Sequence, residues 1–350
     1  MGDLRYTYKD HRKKNRKARR TVLLSFFILI AIVIVFFLRN YAFIIKPIIK
    51  TDDGNGVSLY IPTGADYQYV KEEIYSLGVL TNKNAFDWLA KKSHYNDNIH
   101  PGRYILTDGM TNQQLINMLR MGHQTPVKVV FNNIRTVEQL AGRIEDQIEA
   151  DSLSIINTIR NDSVDATIFI PNTYEFYWNS DANDFVNRMI AEYNIFWNET
   201  RLQKAAEKNL TPREVSILAS IVDKETTKTS EMPMIAGVYL NRLKKHWPLQ
   251  ADPTLVYALG DYSIRRVLDV HKEIDSPYNT YKYAGLPPGP ICIPSIAAID
   301  AVLNATNHKY FYFCAKDDLS GYHVFAKNIE EHNRNAEKYR RALNKNKIYR

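Results

Sequence analysis

Cysteine is scarce in this sequence: Cys292 and Cys314 are the only two in 350 residues. Two thiols cannot build a disulfide framework. They either pair once in an oxidising compartment or sit as small buried residues, and the second reading is preferred. CxxC, HExxH and clustered His/Cys spacings are all missing, so no metal centre is indicated. GxGxxG and Walker A sequences are missing too, which argues against nucleotide chemistry; no cofactor is expected. Net charge is almost lacking beyond the first twenty residues. Of the formal +8, residues 1–20 hold +7, nine Lys/Arg against Asp3 and Asp10, leaving about +1 for the other 330. A basic tail of this kind can bind nucleic acid, but its position argues otherwise.

The tail runs directly into Val22–Leu38, seventeen residues without a charge and with one Ser. A spanning helix needs about 20 apolar residues, with a range of about 17–25. No small-x-small cleavage signal comes after it; the next residues are Arg39, Asn40, Tyr41, Ala42 and Phe43. An uncleaved anchor is therefore expected over residues 21–39, in the cytoplasmic membrane. The Lys/Arg excess before it predicts a cytoplasmic N-terminus and an extracytoplasmic remainder. No nucleic-acid partner is expected.

Residues 40–56 read as a linker ending in a turn-rich stretch. Val57–Pro62 alternates like a strand. Val70, Ile74 and Leu77 give Asp66–Leu80 a helical pattern, and Ala85–Lys92 reads as a second short helix. His100–Leu106 reads as a turn and strand, and Thr111–Met121 as a helix with a capping box from Thr111 to Gln114. Val127–Phe131 is a further strand, followed by a helix opened by a third capping box, Thr136 to Gln139. Residues 57–125 suit a small α/β module comparable to a LysM-like glycan-binding domain, or a plain connector. Residues 126–350 form the second domain, and the fold class is α+β. Residues 149–200 read as helical and irregular, broken by an aromatic-rich segment over 168–178. Such rings bind sugar faces and also fill cores. Further on come a helix over Met234–Lys245 carrying Asn241, a polar turn over Leu249–Thr254, and a loop over 285–290 with two glycines and three prolines. A short helix over Ala297–Ala305, a hairpin around 317–321 and a charged C-terminal helix complete the chain.

The stretch Thr211–Thr226, TPREVSILASIVDKET, organises the rest. Thr211 is an N-cap, Pro212 occupies the first helical position and Glu214 completes a capping box. At about 100° per residue, Val215, Leu218, Ile221 and Val222 share one side with Glu225. Asp223 falls roughly opposite, on the face expected to be wet. A carboxylate on an apolar face near a helix C-terminus loses water and meets an unfavourable dipole, and both raise its pKa. A carboxylic acid still protonated near neutral pH is what a general acid must be. An ordinary glutamate turning outward at a helix end is the competing reading.

With these residues in view, the chain resembles the endolytic murein transglycosylase family (MltG, or YceG-like). Ala219–Thr226 is similar to the family's ASIVEKET signature, with Asp223 where the family usually has Glu. Asn241–Leu243, Leu249–Thr254, Tyr278–Tyr281, Gly285–Ile291 and Gly321–Phe325 match further blocks in order. Asn172 stands where the family usually has Asp. The resemblance implies a single catalytic acid, Glu225, acting on the bond after N-acetylmuramic acid and then drawing the proton from the muramyl C6 hydroxyl. It makes Asn241, Gln250, Tyr278 and Asn279 candidate partners of the glycan or of Glu225; satisfying the prolyl loops and helix ends is the competing role for each of them. By it, residues 126–350 are a YceG-like catalytic domain, peptidoglycan glycan strands are the substrate, and penicillin-binding synthases are implied partners. A non-catalytic glycan-binding scaffold for such synthases, resting on the LysM-like module, is the alternative.

Overall fold

The computed structural model describes residues 3–51, 54, 56–264 and 266–346. It divides into two compact units: Met1–Pro126 with Tyr177–Asn179, and Val127–Phe176 with Ser180–Arg350.

The first unit begins with helix α1 (Asp3–Ile44). Within it, Arg19–Leu38 is long and apolar enough to cross a membrane, and none of its residues is buried. Strands β1 (Val57–Ile61) and β2 (Gly102–Leu106) pair antiparallel, Val57 opposite Leu106 and Ile61 opposite Gly102. Their period-2 pattern turns Leu59, Ile61, Tyr104 and Leu106 inward, all fully buried. Helices α2 (Tyr67–Ser76) and α3 (Lys83–Lys92), between the strands, and α4 (Asn112–Met121), after them, complete that core with Val70, Ile74, Phe86, Leu115 and Leu119. Helix α2 stops at Ser76, short of the expected Leu80, because Gly78 takes φ +69°. Only glycine enters that region without steric cost, so the chain turns there. Residues 47–51, expected as linker, pack into this unit. Ile48 and Ile49 are buried, and Ile49 bridges Leu80. The buried Asn112 amide donates to the carbonyls of Phe43 and Ala85 at 2.8 and 2.7 Å, tying the end of α1 to the module.

The second unit opens with β3 (Val127–Val130), α5 (Val137–Glu145) and α6 (Ser152–Asn161). Half of the capping box expected at α5 forms: Thr136 accepts from the Gln139 N–H at 3.2 Å, but the Gln139 side chain reaches one residue further back and accepts from the Arg135 N–H at 2.9 Å. Strand β4 (Thr173–Phe176) pairs antiparallel with β3, Val127 opposite Phe176. No strand is expected there from sequence, because the segment reads as an aromatic-rich break in a helical stretch. Phe169, Tyr174 and Phe176 of the aromatic segment fill the core, Phe169 stacking on Phe185 and Tyr174 on Phe131, whereas Tyr177 is exposed. Helices α7 (Ala182–Phe196) and α8 (Glu199–Glu207) lead to α9 (Pro212–Glu225). The remaining elements are α10 (Met232–Lys244), α11 (Asp252–Leu259), α12 (Ile296–Leu303), the hairpin β5 (Tyr312–Ala315) and β6 (His323–Ala326), and α13 (Ile329–Lys345).

Helix α9 lies at the centre. Every residue from Val215 to Val222 is buried, Ser216 and Ser220 included, because α8, α10, α11 and α12 all pack on it. The two serines turn their hydroxyls back onto the carbonyls of Pro212 and Ile217, so neither is an unpaired polar group. The helix is therefore buried all round rather than on one side. In α10, Gly237 is packed so closely that an added Cβ would lie 2.5 Å from the Thr306 carbonyl and 2.6 Å from the His308 ring. That close approach brings the segment before β5 against the helix.

Candidate active site

The start of α9 is fixed by the expected capping box. The Thr211 hydroxyl accepts from the Glu214 N–H at 3.2 Å, and the Glu214 carboxylate accepts from the Thr211 N–H at 2.8 Å. The proline loop is bound along this helix at two points. Arg213 donates to the Pro288 carbonyl at 2.6 Å, and the Ile291 N–H donates to the Ser220 hydroxyl at 3.0 Å. A rigid backbone anchored on a rigid helix presents one wall of a cleft.

Glu225 is the last residue of α9. Tyr239, buried in α10, donates its hydroxyl to Glu225 Oε1 at 2.6 Å. Burial pushes the Glu225 carboxyl up to about 7, and the charge of Asp252 adds to the rise; the Tyr239 hydrogen bond and the Arg242 charge act against it. Arg242, itself buried, is held by the carbonyls of Phe311, at 2.8 Å, and Leu249. Its cation thus reaches Glu225 as a field rather than as an ion pair.

Glu225 opens onto a cleft of about 300 Å³ lined also by Lys224, Asp252, Tyr257, Tyr262 and Arg135, a volume at the low end of the common range for ligand sites. Asp252 heads α11 and accepts a short hydrogen bond from the Tyr281 hydroxyl. Burial and Asp252 together push the Tyr281 phenol up, so it stays a donor. Lys224 reaches Asn133 Oδ1 at 3.1 Å and Asp223 at 3.5 Å.

Asp223 departs from expectation. It is not on a wet face: its side chain is only 16% exposed, and it accepts a hydrogen bond from the Ser295 hydroxyl at 2.5 Å. Ser295 caps α12, which packs against this side of α9. A helical wheel assumes one buried side, and α9 has none that is free.

The four candidate partners are placed as follows. Asn241 donates to the carbonyls of His308 and Tyr310, each at 2.9 Å. Asn279 is fully buried; its amide donates to Lys272 and Ile274 carbonyls at 2.9 and 2.8 Å and its oxygen accepts from the Tyr281 N–H at 3.0 Å. Both therefore hold backbone, and Asn279 in doing so sets the turn that presents Tyr281. Tyr278 is half-buried with its ring 4.7 Å from that of Tyr257. Gln250 is exposed at φ +50°, its N–H bonded to the Thr280 carbonyl at 2.9 Å. None of the four is among the residues that line the cleft. Tyr239, Asp252, Tyr281 and Arg135 are the site residues that sequence reasoning misses. Three of them carry a signal: Asp252 and Tyr281 lie inside the blocks Leu249–Thr254 and Tyr278–Tyr281, and Tyr239 sits two residues before Asn241. Both cysteines are free, Cys292 buried and Cys314 partly so.

The chain is 30% identical over 322 residues to an endolytic murein transglycosylase of Bacillus subtilis (strain 168), an alignment covering 85% of this chain and 88% of that protein. It is 27% identical over 363 residues to an endolytic murein transglycosylase of Streptococcus pneumoniae R6, covering 90% of this chain and 64% of that one. Among solved structures it is similar to a Listeria monocytogenes protein described as yceG-like, with a TM-score of 0.53 and 26% identity over 80% of this chain and 98% of that chain. The YceG-like family model matches residues 59–338, the span that holds the capped helix, its terminal glutamate and the loops around the cleft: the chain belongs to the YceG-like family.

Proposed function

We propose that this chain is an endolytic murein transglycosylase, a lyase that cuts glycan strands of peptidoglycan with Glu225 as general acid and then base. The observation that carries the reading is the enclosed Glu225 carboxyl, pushed up to about 7 and bonded on one oxygen by Tyr239. Such a group is protonated over part of the neutral range and can also accept a proton back. The names borne by the Bacillus and pneumococcal relatives supply the substrate class.

In this mechanism Glu225 gives its proton to the glycosidic oxygen between N-acetylmuramic acid and N-acetylglucosamine. The bond from the muramyl C1 to that oxygen breaks, and positive charge develops on the sugar. The carboxylate then takes the proton of the muramyl C6 hydroxyl, and the C6 oxygen bonds to C1. The products are a 1,6-anhydromuramyl end and a free N-acetylglucosamine hydroxyl; no water is consumed and Glu225 is again protonated. Tyr239 fixes which carboxyl oxygen faces the substrate. Asp252, oriented by Tyr281, adds negative charge to the cleft where the sugar cation forms. Asn279 acts one step back, by setting the Tyr281 turn.

Full-length protein in detergent should release anhydro-ended fragments from peptidoglycan strands. Fragments with only reducing ends would make it a hydrolase instead, with water taking the place of the C6 hydroxyl. The reading places Arg19–Leu38 across the cytoplasmic membrane with the basic tail inside, and the first unit, ordered β1–α2–α3–β2, as a LysM-like holder of the strand. A reporter enzyme active only outside the cytoplasm should work when fused after residue 350 and fail when fused after residue 15; the reverse pattern would overturn the orientation. Penicillin-binding synthases are the partners this membrane placement suits.

A further inference from the structure

We propose that Arg135 is a specificity residue of the cleft, recognising a carboxylate carried on the muramyl side of the substrate. The inference rests on the reading of the cleft as a murein-cutting site and adds which part of murein it selects.

A second cavity, of about 530 Å³, adjoins the cleft that holds Glu225, and Arg135 and Tyr257 line both. Apolar side chains such as Ile159, Val164 and Ile293 share its walls with Glu138, whose carboxylate is neutralised by Arg160. Three basic side chains line the two spaces: Arg135, Lys224 and Arg160. Two of them are occupied. Arg160 pairs with Glu138 at 2.9 Å, and Lys224 lies against Asp223 and Asn133. Arg135 differs: its guanidinium lies over the Tyr262 ring, 4.4 Å from the centroid, and among the described residues it has no carboxylate partner. A cation–π contact holds one face of the guanidinium and leaves its edge N–H groups to bind elsewhere. The backbone behind it is also fixed, since the Arg135 N–H donates to Gln139 Oε1 at 2.9 Å just before the capped start of α5.

An arginine with a free planar fork beside a largely apolar hollow suits a carboxylate attached to a group with small apolar side chains. Of the two alternating sugars of a murein strand, only the muramyl residue carries such a substituent. It has a lactyl ether, whose carboxylate is free in peptide-free strands. In intact strands that carboxylate is amide-linked to a stem peptide, which combines alanine residues with carboxylates from its acidic residue and its C-terminus. The shared chemistry is a carboxylate on the sugar whose C1 is attacked. Arg135 would thereby also set the register, placing the muramyl and not the glucosaminyl bond at Glu225.

The test uses full-length protein, wild type, Arg135→Gln and Arg135→Lys, on three strand preparations: peptide-bearing, peptide-free, and peptide-bearing with carboxylates capped as amides. Binding of a disaccharide-peptide probe, charged and capped, is measured in parallel. Wild type should prefer charged over capped strands. Arg135→Gln should lose that preference through a rise in KM of about tenfold or more, the range of a charge-assisted bond, and Arg135→Lys should restore part of it. Loss only on peptide-bearing strands assigns the stem-peptide carboxylate; loss only on peptide-free strands assigns the lactyl group. Cutting with an Arg135→Gln preference equal to wild type overturns the role of Arg135 and keeps the enzyme. Binding that distinguishes charged from capped probe and depends on Arg135, without any cutting, keeps Arg135 and discards the enzyme. Neither binding nor cutting discards both.

Discussion

Helix α9 has a glutamate near each end, and the fold treats the two oppositely. Glu214 lies in the first turn, where the helix dipole favours negative charge, and the N–H and hydroxyl of Thr211 both donate to it at 2.8 Å. Glu225 closes the last turn, where the dipole disfavours negative charge. It is enclosed by neighbouring helices, and its one hydrogen bond among the described residues, from Tyr239, opposes the rise without cancelling it. One glutamate serves the helix. The other is served by it, held in a place where ionising costs free energy. On the proposed function, structure and chemistry are thus separated along a single helix, and the contrast can be broken by experiment at either end.

The largest effect belongs to Glu225→Gln. It keeps shape and a hydrogen-bond acceptor for Tyr239 but removes the transferable proton, so cutting should fall by about 10²–10⁴-fold. Stability should move the other way, with a definite pH dependence. The carboxyl is raised from an ordinary 4.5 to about 7 in the folded protein, so the folded state holds its proton more tightly than the unfolded chain does. Below about pH 4.5 both states are protonated and the group contributes nothing. Between about 4.5 and 7 the unfolded chain ionises first, and stability is progressively lost. Above about 7 the loss is complete, at most about 3 kcal/mol. Melting curves should therefore show Glu225→Gln more stable than wild type at pH 8 and equal to it at pH 4.5. A variant that melts lower at pH 8 would mean that the glutamate end of α9 carries no stored cost.

A second pair of changes tests the charges around Glu225. Tyr239→Phe removes a bond that favours the ionised carboxylate, so the alkaline limb of kcat/KM should move to higher pH. Asp252→Asn removes a charge that disfavours ionisation, so the limb should move to lower pH. Rates at pH 7 should change in opposite directions, each on the order of a few-fold from this cause. Shifts in the same direction would show that packing, and not the hydrogen bond and the charge, sets the acid.

Much of this is legible in the sequence because it depends on local rules. The capping boxes at Thr111 and Thr211 need only residues three apart, and the membrane-length run needs only composition. The illegible part depends on neighbours far along the chain. A wheel puts Asp223 on a wet face because it shows one helix alone; only the packing of α12, whose Ser295 lies 72 residues away, encloses it. Asn241 and Asn279 are legible as polar residues in motif blocks, but their carbonyl partners are not. Tyr239 escapes notice because an aromatic amid Val238 and Leu240 reads as core, and nothing local reveals that its hydroxyl meets Glu225. Strand β4 escapes because its aromatics read as a break between helices, and its pairing with β3 joins segments far apart in the chain.

The middle of the scale is Asp223, next to the proposed catalytic end of α9 but facing α12. Asp223→Ala leaves the Ser295 hydroxyl without its acceptor while Ser295 still caps Ala298 at 3.2 Å. The expected cost is about 1–2 kcal/mol in denaturant unfolding, with activity within a few-fold of wild type. Asp223→Asn, which keeps an acceptor, should lose less. If Asp223→Asn abolishes cutting and Glu225→Gln spares it, the roles given to the two carboxylates are wrong.

The smallest effect is expected at the other end of the helix. Thr211→Ala removes the acceptor for the Glu214 N–H and one of the two donors to the Glu214 carboxylate. An N-cap threonine contributes about 1 kcal/mol, so the unfolding midpoint should fall modestly with an unchanged denaturant slope. Pro212 still needs no partner for its nitrogen, and Arg213 still holds the Pro288 carbonyl, so the wall of the cleft should stay in place. The ratio of kcat/KM between pH 6 and pH 8 should therefore match wild type, because nothing within reach of Glu225 has changed. A shifted alkaline limb in Thr211→Ala would mean that the two ends of α9 are mechanically coupled, and that the helix transmits a loosened first turn to its terminal acid.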